Sequence, residues 1–164
     1  MKEAYDTSGI VTNDRGVTVW LKGNRVSRNQ IMAIKEESVT EQKNSLAVCL
    51  DNILRHAGIT RNTEYDLAQG KTATTILSEN MTGVQVLDLS GCTLDAVLYY
   101  VNQDIPVLAI LEDGEAVLVT GFNEFNVVIM EPATGKLYKK GMNDATAWFA
   151  ENGNHFITYM RIEN

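Results

Sequence analysis

Two cysteines, two histidines and two prolines in 164 residues rule out several kinds of protein. Cys49 and Cys92 are too few for a disulfide framework, and their spacing matches no zinc pattern. With so few histidines, a metal centre of His and Cys ligands is not expected, and no motif calls for a cofactor. Positive charge is also short: 14 Lys and Arg stand against 21 Asp and Glu, a net charge of −7. A phosphate-binding face needs a basic cluster, so nucleic acid is not an expected partner. The single cluster, Lys136, Lys139 and Lys140, sits beside a turn and reads as a solvated strand edge. Long apolar runs are missing too. No stretch approaches the roughly 18 apolar residues of a membrane span. The first 20 residues contain acids and no signal-peptide core, so the compartment is unknown.

What is present is an ordinary globular composition, 45% hydrophobic and 21% charged. It fits a single domain over 1–164, large enough for a real core. Residues 1–15 are polar and read as loosely ordered. The opening Met1-Lys2-Glu3-Ala4, followed by a polar stretch, reads as a domain cut from a longer protein.

The strongest signal is the stretch from Ile105 to Pro132. Three β-branched, apolar runs are separated by Asp113-Gly114 and by Asn123 to Asn126. Glycine tolerates the positive φ of a hairpin turn, so Asp113-Gly114 predicts a β-hairpin. Runs this apolar predict a central antiparallel ribbon covered on both faces. Elsewhere, Gly16–Leu21, Val84–Leu89, Lys136–Gly141 and His155–Ile162 read as strands, the last closing the sheet. Leu46, Ala47, Val48, Leu50, Ile53, Leu54 and Ala57 recur at helical spacing and stop at Gly58. Further helices are expected at Ser27–Ile34, Glu64–Gln69 (capped by Asn62 or Thr63), Thr72–Asn80, Thr93–Gln103 and Asn143–Glu151. Gly23-Asn24 reads as a turn and Lys35–Lys43 as a connection. Helices come mostly first and strands mostly later, which is an α+β arrangement.

Ser-Leu-Ala-Val-Cys-Leu-Asp-Asn-Ile-Leu-Arg-His-Ala-Gly, then Asp-Gly-Glu-Ala-Val-Leu-Val-Thr-Gly-Phe, then Ile-Met-Glu-Pro, resembles the bacteriocin-processing peptidases. These are papain-like cysteine peptidases that cut double-glycine leader peptides, often as the amino-terminal domain of an export transporter. The resemblance covers about residues 40–162. It rests on order, spacing and hydrophobic pattern more than on identities. It implies a papain-like cysteine peptidase fold, with a helical lobe packed on an antiparallel sheet.

Position by position, the resemblance puts Ser45 in the nucleophile's place and Cys49 on a second, structural cysteine. Glu115 stands where the catalytic His belongs, and Glu131 where an Asp precedes Pro. Gln42 is a loose match to the oxyanion-binding Gln. A thiolate attacks in such enzymes and an imidazole carries its proton. A serine hydroxyl needs a strong, well-placed base, and an ordinary carboxylate is too weak for that task. A single Cys→Ser change would account for Ser45 but not for Glu115.

The expected function is a catalytically inactive peptidase-like domain that binds a peptide or protein segment between the lobes. Two carboxylates there would suit a basic side chain, a peptide amine or a hard cation. The alternatives are an active hydrolase using Cys49 or Ser45, and a purely structural module of a larger protein. Each residue also has a plainer reading. Ser45 suits a helix cap, Glu115 a solvated hairpin flank and Glu131 a strand end. Cys49 suits a buried small hydrophobe. His56 lies two helical turns from Cys49, roughly 10 Å away, too far to pair with it. It reads as an interface or surface residue, and His155 as structural. Tyr99, Tyr100, Trp148 and Phe149 read as core or groove-lining aromatics.

Overall fold

A computed structural model describes residues 10–12, 14–20 and 44–162, with side chains described from 44 onward. The elements run β1 (Ile10–Thr12), β2 (Asp14–Trp20), α1 (Ser45–His56), α2 (Glu64–Ala68), α3 (Ala73–Asn80) and β3 (Val84–Asp88). They continue as α4 (Leu94–Val101), β4 (Val107–Ile110), β5 (Ala116–Phe122), β6 (Asn126–Glu131), β7 (Lys136–Gly141), α5 (Met142–Glu151) and β8 (His155–Arg161). The expected turn at 23–24, helix at 27–34 and connection at 35–43 lie outside the described residues, as does Gln42. β1 pairs antiparallel with β2, with a register shift at Thr12.

Six strands form one antiparallel sheet in the order β3-β8-β4-β5-β6-β7. The apolar run of β5 is buried at all seven positions, as an inner strand covered on both faces requires. Gly114 takes φ +89 in the β4–β5 turn, and the Asp113 carboxylate accepts the Glu115 N–H at 2.9 Å. In the next turn the Asn123 side chain accepts from Phe125 N and Asn126 N, both at 2.8 Å. The last strand does not close the sheet at an edge. β8 pairs with β3 on one side and β4 on the other. Helices and strands are therefore less segregated than their order along the chain predicts. β3, embedded among the early helices, joins the sheet only through the last strand.

The sheet is covered by helices. Phe149 of α5 packs on Phe156 of β8, with ring centroids 5.3 Å apart. Lys140 of β7 lies 4.9 Å over the Trp148 ring, so part of the lysine edge covers an aromatic rather than standing free in water. α4 packs beside α5, while α1 lies on β4 and β5 with α3 next to it. α1 is buried along one continuous run from Ala47 to Leu54. Leu50, Ile53 and Leu54 join Leu108, Leu118, Phe149, Phe156 and Tyr159 in one core. Burial of each such side chain contributes roughly 1.5–3 kcal/mol.

Candidate functional site

The start of α1 is built by its neighbours. Asn44, not Ser45, caps the helix: its Oδ1 accepts from Leu46 N at 2.8 Å and Ala47 N at 3.3 Å. These two N–H groups have no carbonyl to meet inside the helix, so the side chain of the preceding residue takes them. The main-chain N–H of Asn44 in turn points to Glu64 Oε2 at 3.4 Å. Glu64 is brought there because α2 is docked on α1. Thr63 donates to the buried Asp51 carboxylate through both its N–H, at 2.8 Å, and its hydroxyl, at 2.7 Å. Thr63 stands at the N-cap position of α2 without a side-chain capping bond, while Asn62 Oδ1 accepts the Glu64 N–H at 3.2 Å.

Freed from capping, Ser45 faces the sheet. Its Oγ accepts the N–H of Ala116, the first residue of β5, at 2.9 Å. Ala116 is delivered by a tight turn. Leu111 N donates to Glu115 O at 2.7 Å and Gly114 N to Leu111 O at 2.9 Å. Glu115 is exposed and flanks that turn. Glu131 ends β6, and its Oε1 accepts Ala133 N at 2.9 Å as the chain turns through Pro132. Leu118 pairs with Met130, so one further step of the same register sets Val117 beside Glu131. Ser45, the Glu115–Ala116 link and Glu131 therefore occupy the same end of the sheet. Among the described residues no hydrogen bond joins their three side chains to one another.

Cys49 sits one helical turn below Ser45 and is completely buried. Burial pushes its thiol far above the ordinary cysteine range, and the nearby Glu131 carboxylate adds to the shift. A thiol held neutral is not a nucleophile. The reading of Cys49 as a small core residue holds.

Neither histidine approaches Ser45 as a base. His56 ends α1, at the opposite pole of the helix. Its Nε2 lies 3.2 Å from the Asp104 carbonyl and 3.4 Å from the Asp104 carboxylate. His155 opens β8 in register with Ile110, which is itself in register with Ala116. It is thus two strands from Ala116, roughly 10 Å at the usual strand spacing. Tyr99 is exposed and meets the half-buried Tyr100 edge-on on α4, with centroids 5.1 Å apart. Phe149 is core, and Trp148 is half-buried under Lys140. Among the described residues, no group of three His, Cys, Asp or Glu side chains could hold a metal ion. No helix there is long and apolar enough to cross a membrane.

Sequence reasoning passed over Asn44, the main-chain N–H of Ala116, and Asn152. Asn44 has the right residue type for a cap and stood next to the serine that drew the assignment. Asn152 carried no signal beyond its place before a helix-ending glycine.

No protein-family model matches the chain, and no curated protein matches it. The fold does have counterparts among solved structures. A candidate C39-like peptidase from Bacillus anthracis superposes with a TM-score of 0.66 at 12% identity, covering 82% of this chain and 98% of that one. The chain has the α+β, papain-like fold of a C39-like peptidase.

Proposed function

We propose that this is a peptidase-like domain without peptidase activity, which binds an extended peptide or protein segment at the Ser45 end of the sheet. One observation carries the reading. The side chain that opens α1 is a serine hydroxyl engaged with the Ala116 N–H at 2.9 Å, and the residue before Ala116 is a glutamate. A serine nucleophile needs a base that takes its proton, and both imidazoles are placed elsewhere. The one thiol on α1 is neutral and sealed in the core.

Binding of an extended segment fits strand ends and turns that meet a helix start. Glu64 Oε2 is 3.4 Å from Asn44 N, Glu115 directly precedes Ala116, and Glu131 is near enough to raise the Cys49 thiol one turn along α1; such carboxylates favour a segment bearing a basic side chain or amine. Two measurements test the proposal. The protein should remain unlabelled at Ser45 by a fluorophosphonate and at Cys49 by a thiol probe; stoichiometric labelling lost on mutation of either residue would make it a hydrolase. Calorimetric titration with synthetic extended peptides of basic sequence should give saturable binding that weakens in Glu115→Gln with Glu131→Gln. Equal affinity in that double variant removes the acidic groove, and no binding by any peptide leaves a structural module.

A further inference from the structure

We infer that Asn152, at the end of α5, is a positioning residue for the site at Ser45. The turn that presents Ala116 to Ser45 is held mostly from within, by Leu111 N to Glu115 O, Gly114 N to Leu111 O, and Glu115 N to Asp113 Oδ1. These bonds shape the hairpin tip, while Ile110, Leu111 and Ala116 at its base pack against the core. Besides the Ala116 bond to Ser45 and the packing of Ile110 and Leu111 on the core, the turn is tied to α5 by Glu112 N donating to Asn152 Oδ1 at 3.0 Å, across 40 residues of chain. Asn152 is itself fixed. Its Nδ2 donates to Trp148 O at 3.0 Å, and its own N–H reaches Trp148 O and Phe149 O. Phe149 is locked in the core against Phe156. A rigid line thus runs from the core through α5 and one amide side chain to the turn, and from the turn through the Ala116 N–H to position 45. Both amide ends are used, each on a different element. A residue that merely ended the helix would need only the bond to Trp148.

The inference rests on reading the Ser45 end as the site, but its test needs no ligand. In the Ser45→Cys variant the introduced thiol takes the place of the hydroxyl at the Ala116 N–H and the amino end of α1. Both favour a thiolate, while the carboxylates of Glu64, Glu115 and Glu131 on the neighbouring elements oppose it, so the midpoint of Ser45→Cys alone is the reference value. Its alkylation by iodoacetamide is followed against pH, with peptide mass spectrometry separating it from Cys92 and Cys49. Adding Asn152→Ala should raise the midpoint by about one unit, a roughly tenfold loss of thiolate near neutral pH. Asn80→Ala is the control. Asn80 makes the same side-chain bond to its own helix, Nδ2 to Ile76 O at 2.8 Å, with no second bond to a turn among the described residues. It should leave the midpoint in place. Asn152→Asp keeps the acceptor for Glu112 N. In 0.5 M salt, where the screening length is about 4 Å, it should stay within threefold of the parent. If Asn152→Ala does not fold, Asn152→Leu, of similar size and without the acceptor for Glu112 N, carries the test: the same loss is expected, and an unchanged midpoint overturns the assignment. An unchanged midpoint in Asn152→Ala, an equal shift in Asn80→Ala, or a tenfold loss in Asn152→Asp overturns the assignment. Because no peptide enters, failure of peptide binding leaves this result standing, and the reverse.

Discussion

The hydroxyl of Ser45 and the main-chain nitrogen of Ala116 lie 2.9 Å apart, although 71 residues separate them. This bond joins the amino end of the buried helix to the first residue of the central strand. It divides the work at that helix end between two adjacent residues: Asn44 caps, and Ser45 docks.

That division predicts two different costs. Asn44→Ala removes the acceptor of two helix N–H groups and should cost about 1 kcal/mol of unfolding free energy. Ser45→Ala leaves the cap intact but strands the Ala116 N–H in a part-buried place, at a cost of roughly 1–2 kcal/mol. Urea denaturation of the two single variants and the double variant checks this. Near-additive losses are expected, and no loss in Ser45→Ala would mean that the bond contributes nothing.

Cys49 and Cys92 should differ sharply towards alkylating agents. Cys92 is half-buried, whereas Cys49 is sealed and its thiol is held neutral. In native protein at pH 8, mass spectrometry should find the label on Cys92, with Cys49 reacting only after denaturant is added. Cys49→Ser places an unpaired hydroxyl in the core and should cost about 1–3 kcal/mol.

Acid should weaken the α1–α2 corner. Arg61 grips Asp66 through two bonds of 2.9 Å, and these hold its carboxyl below the usual value of 3.8. A carboxyl depressed in the folded state adds stability above its unfolded value, and that stability is lost as pH falls through the folded one. The stability curve should therefore drop below about pH 4. Asp66→Asn should flatten that part of the urea-midpoint profile and leave the slope near neutral pH unchanged.

Asn154→Gly should stabilise the protein. Asn154 adopts φ +50, and its buried Oδ1 has no hydrogen-bond partner among the described residues. Glycine accepts that backbone conformation and removes the unsatisfied acceptor, for a gain of about 1 kcal/mol. Thermal unfolding would show a higher Tm; a lower one would mean that the amide makes a bond through solvent.

Where the elements lie was legible because each is specified by a few neighbouring residues. The apolar runs of β4, β5 and β6, the helical spacing from Leu46 to Leu54, and the stops at Gly58 and Gly153 act over one or two turns of chain. Their bounds fall within a residue or two of the expected ones. The inner position of β8 was not legible. An alternating run such as His155 to Ile162 fits an edge or an inner strand equally well, and only its two partners distinguish them.

The same distinction governs the site. Composition and pattern by themselves determined an α+β chain with a serine and two glutamates where its resemblance would put catalytic groups. They could not determine which of Asn44 and Ser45 caps the helix, because both residue types suit that role. The tertiary structure decided it, by bringing the Ala116 N–H to the serine and leaving the cap to the asparagine. It also set Asn152 against the Glu112 turn. A hydrogen bond depends on two groups arriving within 3 Å, and residues 40 or 71 positions apart arrive there only once the whole sheet and its helices are packed.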